Sequence, residues 1–250
     1  MTPPGFGLDG RRALVTGSAS GLGKAIALAL AAAGAEVVGA DITREANRQV
    51  ASTVGGTAVT LDVSDRAAVE AAVDDISTRV GAIDVLVNSA GIGGRGVAVG
   101  YPPDLLARVI DVNVKGSLYM CQAVGRRMMG QGRGSIINIA SIGGLVAFPG
   151  SVGYQTSKGG VVQMTRALAV EWAASGVRVN AVAPGHIATE LVRRQWETEP
   201  ELREFFLSRT PMGRLGTPED VAGPVVFLAG DAAAMITGQI IAVDGGYTAQ

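Results

Sequence analysis

The sequence predicts an α/β protein in which helices cover both faces of one doubly wound, mostly parallel β-sheet. Short β-branched, apolar runs alternate with longer stretches of helical composition along the whole chain. The short runs are continuously apolar, as expected for strands that are covered on both faces. Apolar residues make up 48% of the 250 residues and charged residues only 17%, which provides material for a large core.

About seven strands and five long helices are predicted in alternating order. The strands are residues 13–16, 36–40, 58–61, 85–88, 135–139, 178–182 and 240–243, and the helices are residues 22–33, 43–54, 65–80, 104–128 and 154–174. Gly34 and Gly176 are expected to end helices, and Ser64 to cap the third helix. Residues 189–209 interrupt the pattern because they are more charged, and we interpret them as a small helical insertion near the functional site.

The composition excludes several kinds of partner. The formal net charge is −1, so no basic excess is available to bind nucleic acid or an anionic membrane. Cys121 is the only cysteine and His186 the only histidine, so neither an internal disulfide nor a structural zinc site is expected. No apolar stretch has the composition of a membrane helix or a signal peptide. We therefore expect a cytoplasmic protein without a metal.

A glycine-rich turn follows the first predicted strand, over residues 16–23. Gly17 would permit a sharp turn, Gly21 the approach of backbone amides to a pyrophosphate, and Gly23 the close packing of helix on strand. The helix that follows would point its N-terminal amides at the phosphates. This strand–turn–helix context predicts a dinucleotide site formed by Gly17, Ser20, Gly21, Leu22 and Gly23.

An acidic residue, Asp41, directly follows the second predicted strand. Its carboxylate would accept hydrogen bonds from the adenosine ribose hydroxyls and repel a 2′-phosphate. Ser20 and Ile42 are uncharged at positions where an arginine would pair with that phosphate. Arg44 and Arg48 lie further along and are assigned to a solvated helix face. The pattern therefore predicts NAD rather than NADP.

Tyr154 and Lys158 are spaced four residues apart, which puts both on one face of a helix. A neighbouring ammonium and a positive nicotinamide ring would move the pKa of a tyrosine from about 10 towards the neutral range. Ser141 follows the fifth predicted strand, at the end where parallel sheets bind ligands. Asn113 lies within the fourth predicted helix.

At this point the sequence resembles the short-chain dehydrogenase/reductase family over essentially its whole length. The motifs that carry the resemblance are the loop of residues 16–23, Asn88-Ser89-Ala90-Gly91, Asn113, Ser141, Tyr154 with Lys158, and Pro184-Gly185. The resemblance implies one Rossmann-type domain over residues 1–250 and direct hydride transfer without a metal. Ser89 departs from the family, which usually has asparagine there, and we expect it to affect loop hydrogen bonding more than chemistry.

The family pattern implies a role for each catalytic side chain. Tyr154 would be the general acid/base that removes the alcohol proton during oxidation. Lys158 would lower the pKa of Tyr154 and hold the nicotinamide ribose. Ser141 would orient and polarise the substrate oxygen. Asn113 would bind a water that connects Lys158 to solvent.

The resemblance also implies the remaining contacts. Asp62 and Val63 would flank the adenine, and Ile187 and Thr189 would contact the nicotinamide carboxamide. The rest of the cofactor site would comprise Asn88, Ala90, Gly91, Pro184 and Gly185, with Tyr154 and Lys158. The substrate contacts would be Ser141, Gly143, Tyr154 and His186, although the family chemistry needs no histidine. A homotetramer is implied, with interfaces on the helices at 104–128 and 154–174 and on residues 236–246, and a dimer is the alternative.

The leading functional hypothesis is an NAD-dependent dehydrogenase of a small-molecule secondary alcohol or its ketone, in a polyol, sugar or small hydroxy compound. The alternative is a 3-oxoacyl-thioester reductase, in which Arg126, Arg127 and Arg133 would meet an acidic carrier protein. Asp41 argues against it because such reductases prefer NADPH. A non-catalytic NAD-binding protein is disfavoured because Tyr154 and its partners are all retained.

Overall fold

Seven strands form one parallel sheet in the order β3-β2-β1-β4-β5-β6-β7. This computed structural model describes residues 5–190, 192–193 and 200–250. The strands are β1 (Arg12–Thr16), β2 (Glu36–Asp41), β3 (Thr57–Thr60), β4 (Val85–Asn88), β5 (Gly134–Ile139), β6 (Val177–Pro184) and β7 (Ile240–Val243). The order reverses between β1 and β4, and ligands of such sheets bind in the crevice at the carboxyl ends of the reversing strands. The predicted fold class is confirmed.

Helices pack on both faces of the sheet. They are α1 (Gly21–Ala32), α2 (Arg44–Thr53), α3 (Arg66–Arg79), α4 (Pro103–Ile110), α5 (Ser117–Gln131), α6 (Val152–Trp172), α7 (Pro200–Ser208) and α8 (Pro218–Ala229). On one face Val15 belongs to a core cluster that includes residues of α1 and α8. On the other face its neighbour Leu14 packs with residues of α3, α5 and α6. Consecutive strand residues therefore enter two cores, which explains the continuously apolar strands.

The fourth predicted helix is interrupted by a wider turn. Residues Asp111–Gly116 between α4 and α5 form a π-helix, a geometry that often marks functional sites. Asn113 lies in this turn and is fully buried. The sequence pattern runs through the turn without a break, so it gave no signal of the change in hydrogen bonding.

Two local predictions need correction. The cap of α3 is Asp65, whose carboxylate accepts the Ala68 N–H at 3.0 Å, while the expected cap Ser64 donates to Asp62. Helix α8, which contains Pro224 in its interior, was not predicted. The missed signal is a capping box in which Thr217 and Asp220 satisfy each other's backbone N–H groups.

The predicted insertion at 189–209 falls partly outside the described residues, which lack 191 and 194–199. Its described part includes α7. Within the described ranges no helix is long and apolar enough to cross a bilayer. The same ranges contain no group of three His, Cys, Asp or Glu residues placed to hold a metal ion.

Candidate active site

Ser141, Tyr154 and Lys158 meet at the carboxyl end of β5. Ser141 begins the short turn after this strand, and its hydroxyl accepts the Gly143 N–H at 3.0 Å. The Tyr154 hydroxyl, on the first turn of α6, lies beside the Ser141 side chain. The Lys158 Nζ lies 5.8 Å from the centroid of the Tyr154 ring, one turn further along the helix. The predicted spacing therefore puts all three on one wall of the site.

The electrostatics of Tyr154 differ from the expectation. Burial raises the pKa of its hydroxyl, and the neighbouring Ser141 side chain only partly opposes this rise. We expected the Lys158 ammonium to lower that pKa. Its Nζ instead donates to the Ile139 carbonyl at 2.7 Å, and burial of the Tyr154 hydroxyl is the larger influence on its pKa.

Lys158 is itself destabilised as a cation. Only 6% of the residue is exposed, and burial lowers the pKa of its ammonium to about 8. An ammonium has three donors, and the described hydrogen bond to Ile139 uses one of them. The remaining donors suit the hydroxyls of a ribose. A Cβ on Gly91 would lie 3.6 Å from Nζ, so glycine leaves space beside the ammonium.

The Asn113 side chain ties the loop after β4 to α6. Its Oδ1 accepts the Ile92 N–H at 2.8 Å, and its Nδ2 donates to the Ile92 carbonyl and to Ser157 Oγ, both at 3.0 Å. Ser157 Oγ in turn donates to the Tyr154 carbonyl at 2.7 Å. Sequence reasoning missed Ser157, although its position three residues after Tyr154 on a helix was a usable signal. The water relay assigned to Asn113 stays a prediction.

The glycine turn forms a cradle for a pyrophosphate. Gly17 has φ +67°, and a Cβ on it would lie 2.8 Å from the Ala90 backbone. A Cβ on Gly23 would lie 2.1 Å from the Gly17 carbonyl oxygen. Gly21 faces open space, with only the Thr189 methyl at 3.8 Å from such a Cβ. No side chain caps α1 at Ser20 and no acidic residue lies in its first turn, so the amides there suit an anion.

Asp41 is held at the end of β2 by two backbone amides. Its Oδ2 accepts the Ala19 N–H at 3.1 Å and its Oδ1 the Thr43 N–H at 2.7 Å. A carboxylate has about four acceptor positions, so two remain for ribose hydroxyls. Ile42 beside it is 69% exposed, and Arg44 lies on an exposed face of α2.

The Asn88–Gly91 loop lies against the end of β1. Thr16 Oγ1 accepts the N–H groups of Ser89 and Ala90, both at 3.1 Å. The backbone N–H of Ser89 is held in this way, whatever its side chain. Asn88 is buried and donates to Asn138 Oδ1 at 2.9 Å.

The residues predicted to flank the adenine follow β3. Val63 is 6% exposed and packs so closely on Gly116 that a Cβ there would lie 2.7 Å from its Cγ2. Asp62 is exposed, and its Oδ1 accepts the Ser64 N–H at 2.9 Å. The two residues therefore offer one apolar and one acidic contact.

The residues predicted to contact the nicotinamide lie in the loop after Pro184-Gly185. The Ala188 N–H donates to the Gly216 carbonyl at 2.8 Å, and the Gly216 N–H donates to the His186 carbonyl at 3.0 Å. Ile187 is 7% exposed, and the Thr189 N–H donates to its carbonyl at 2.9 Å. These bonds hold Thr189 close to the glycine turn.

The His186 ring contacts α7 and the C-terminal turn. It stacks on Phe206 with centroids 3.8 Å apart and meets the Tyr247 ring edge-on at 5.4 Å. Its Nε2 is buried without a described partner. Burial lowers the pKa of this imidazole to about 4, so it is neutral at pH 7. It also lines a cavity of about 410 Å³.

Gln155 holds the loop that faces Gly143. Its side chain accepts the Phe148 N–H at 3.1 Å and donates to the Phe148 carbonyl and, at 2.9 Å, to Ser151 Oγ. A Cβ on the buried Gly143 would lie 3.1 Å from both Gln155 and the Phe148 ring. Sequence reasoning missed Gln155, because its hydrogen bonds depend on a loop conformation that no motif specifies.

Comparisons with known proteins find relatives over nearly the whole chain. A family model described as Enoyl-(Acyl carrier protein) reductase matches residues 17–248. D-threitol dehydrogenase of Mycolicibacterium smegmatis is 42% identical over 248 residues, covering 97% of this chain and 95% of that protein. The 3-oxoacyl-[acyl-carrier-protein] reductase of Thermotoga maritima is 41% identical over 244 residues, covering 96% and 98%.

A solved structure shares the same architecture. Gluconate 5-dehydrogenase from Burkholderia cenocepacia, in complex with NADP and tartrate, aligns with a TM-score of 0.92 at 39% identity, and the alignment covers 98% of each chain. The chain belongs to the short-chain dehydrogenase/reductase family and is an oxidoreductase that acts on CH–OH groups with a nicotinamide cofactor.

Proposed function

We propose that the chain oxidises a secondary alcohol of a polyol, sugar or small hydroxy compound with NAD. The adjacent side chains of Ser141 and Tyr154, with the buried ammonium of Lys158 one helix turn away, carry this proposal. The names of two relatives, D-threitol dehydrogenase and gluconate 5-dehydrogenase, support a polyhydroxylated substrate. The relatives alone do not distinguish a polyhydroxylated substrate from an acyl thioester, because a 3-oxoacyl-[acyl-carrier-protein] reductase has nearly the same sequence identity to this chain.

In the oxidation direction the Ser141 hydroxyl orients the substrate oxygen. The Tyr154 phenolate takes the proton of the alcohol O–H as the C–H hydrogen leaves the same carbon with its electron pair. When bound, the nicotinamide ring supplies the acceptor for that hydride and a positive charge beside Tyr154. Lys158 holds the ribose hydroxyls and favours the phenolate. The proton then leaves through Lys158 and a water bound at Asn113.

The three arginines that a 3-oxoacyl-thioester reductase would use to meet an acidic carrier protein have partners within the chain. Arg126 pairs with Glu70 at 3.3 Å and Arg127 pairs with Asp74. Arg133 pairs with Asp84 at 3.0 Å. These ion pairs account for the three arginines without an acidic carrier protein, so the acyl-thioester reductase gains no support from them.

The proposed substrate contacts are Ser141, Gly143, Tyr154 and His186. NADH formation measured over a panel of polyols, sugars, hydroxy acids and simple secondary alcohols tests the proposal. We expect turnover with at least one polyhydroxylated compound. Turnover restricted to 3-oxoacyl thioesters with NADPH would contradict it.

The proposed preference for NAD depends on Asp41. Replacing Asp41 with Ala removes the carboxylate that would repel a 2′-phosphate, and two backbone amides lose their acceptor. We expect the ratio of kcat/KM for NAD to that for NADP to fall roughly 10- to 100-fold, as for one lost charge-assisted interaction. Replacing the exposed Glu45 with Ala is the control. A wild-type ratio near one would contradict the preference.

The proposed assembly is a homotetramer. Val170 on α6 is 82% exposed in the single chain, although it lies on a helix expected at an interface. We expect Val170→Asp to reduce the mass measured by light scattering from four chains to two, because a charge would be buried there. Val99→Asp, at a fully exposed position before α4, should leave four chains. A wild-type dimer or monomer would contradict this proposal.

The proposed location is the cytoplasm. Cys121 is fully buried, and burial raises the pKa of its thiol to about 12. Such a thiol is protonated and unreactive at neutral pH, and a single unreactive cysteine fits the reducing conditions of the cytoplasm.

A further inference from the structure

Asn47 is a buried polar residue with no part in the catalytic group. It lies on α2 with 1% exposure, and every polar atom of its side chain is engaged. Its Nδ2 donates to the Gly39 carbonyl at 2.9 Å and to the Val59 carbonyl at 3.0 Å. Its Oδ1 accepts the Ser18 hydroxyl at 2.8 Å. One side chain therefore joins β2, β3 and the glycine turn.

Gly39 provides the space for this arrangement. A Cβ at Gly39 would lie 2.7 Å from Asn47 Oδ1 and 2.7 Å from Ser18 Oγ, closer than carbon and oxygen atoms pack. Ser18 itself is fully buried. The three residues are thus packed as one unit, which we call the Asn47 cluster: Ser18, Gly39 and Asn47.

The Asn47 cluster borders both halves of the adenosine diphosphate site. Ser18 lies between Gly17, whose φ is +67°, and Ala19, whose N–H donates to Asp41 at 3.1 Å. Gly39 and Asp41 are two residues apart on β2, so they face the same side of the sheet. Two side chains on this face therefore hold the glycine turn: Asn47 contacts it through Ser18, and Asp41 contacts it through Ala19.

We propose that Asn47 is a positioning residue for the cofactor, which fixes the glycine turn relative to Asp41 and so sets the affinity for the adenosine diphosphate half. This inference goes beyond the proposed function and depends only on its nicotinamide dinucleotide cofactor. A turn held in its binding conformation loses less conformational freedom when the phosphates bind. Loss of the anchor weakens the binding of adenosine diphosphate groups without touching the substrate pocket.

Ser18→Ala is the sharper variant, because Asn47 keeps its two bonds to β2 and β3 and the fold is retained. Calorimetric titration with NAD and with ADP-ribose, which lacks the nicotinamide, measures the effect. We expect both Kd values to rise roughly fivefold, the size of one buried hydrogen bond. In turnover, the KM for NAD should rise more than kcat falls, and the KM for the alcohol should stay unchanged.

Ser135→Ala is the matched control. Ser135 is 2% exposed and donates to the Leu228 carbonyl at 2.9 Å, at the opposite end of the sheet. It should destabilise the chain about as much as Ser18→Ala and leave the Kd for ADP-ribose unchanged. Equal weakening by both variants would overturn the inference, because general destabilisation would then explain the loss.

Asn47→Ala supplies a second test through non-additivity. If Ser18 and Asn47 act through their shared hydrogen bond, the variant that carries both Ser18→Ala and Asn47→Ala should bind ADP-ribose no more weakly than Asn47→Ala alone. Should Asn47→Ala fail to fold, Ser18→Ala decides the question. Unchanged Kd values in Ser18→Ala overturn the inference, whereas a wild-type chain that binds neither NAD nor ADP-ribose contradicts the proposed cofactor instead.

Discussion

Replacing Tyr154 with Phe should lower kcat for alcohol oxidation by about 10²- to 10⁴-fold, the usual contribution of a general acid/base. The phenyl ring keeps the packing of α6, and Ser141 keeps its bond from the Gly143 N–H. The Kd for NAD should therefore change little. Stopped-flow measurement of NADH formation and calorimetric titration of NAD separate the two effects.

Tyr101→Phe is the matched control for this substitution. The Tyr101 hydroxyl is also buried, but it has no described hydrogen-bond partner and packs beside Gly94 and Gly153. Removal of a buried, unpartnered hydroxyl should leave kcat unchanged and the protein no less stable. If Tyr154→Phe retained more than a tenth of the wild-type kcat, another group would have to carry the proton.

The direction of the pH dependence follows from the same residue. Because burial raises the pKa of Tyr154, the phenolate needed for oxidation is scarce at neutral pH. We expect kcat/KM for oxidation to increase with pH from about 6 upward and this increase to vanish in Tyr154→Phe.

Replacing Lys158 with Met should have two effects of opposite character. Turnover should fall at least about 100-fold, because Tyr154 loses the cation that favours its phenolate. The free energy of unfolding at pH 7 should increase instead, because burial lowers the pKa of Lys158 from 10.5 to about 8. At pH 7 the native chain keeps a charged ammonium in a site that disfavours it, and Met fills that volume without a charge.

The pH dependence of stability distinguishes the removal of a buried charge from a simple change in packing. Between pH 8 and 10.5 the unfolded chain binds more protons at Lys158 than the folded chain, so the wild-type free energy of unfolding rises with pH. Below pH 8 the penalty is constant. The stability of Lys158→Met relative to wild type should therefore decrease by about 3 kcal/mol between pH 7 and 10.5. Urea unfolding at several pH values in this range measures it.

Lys115→Met is the control for the titration. Lys115 is exposed, and its hydrogen bond to Asp111 raises the pKa of its ammonium. Lys115 should therefore not increase the free energy of unfolding of the wild-type chain as the pH rises over the same range. A pH-independent difference between Lys158→Met and wild type would show that the ammonium of Lys158 titrates normally.

The site residues that sequence reasoning found share one property: local patterns specify them. The glycine turn is a short motif between a strand and a helix, and the spacing of Tyr154 and Lys158 fixes their common face. Ser141 and Asp41 each end a recognisable strand, and parallel strands bring such ends to one edge. Position along the chain was therefore enough to predict that these residues would meet.

The features that position along the chain could not predict share another property: they concern groups whose partners are distant in the chain. The pKa of Tyr154 depends on how far burial desolvates its phenolate and on where the Lys158 ammonium finds its acceptor. Arg133 is paired with Asp84, which lies on another segment. Helix α8 forms despite Pro224, since its apolar face packs against the sheet and α1.

The amino-acid pattern alone was sufficient for the order of the seven strands and of most helices, and it predicts the dinucleotide turn and the catalytic set, because periodicity and spacing act over a few residues. Folding was needed to show what each polar group bonds to. Asn113 holds Ile92 and Ser157, Gln155 holds the loop at Phe148, and Asn47 holds the glycine turn. Hydrogen bonds and desolvation depend on distances of a few ångströms between segments that are far apart in the chain, and those distances exist only once the sheet has assembled.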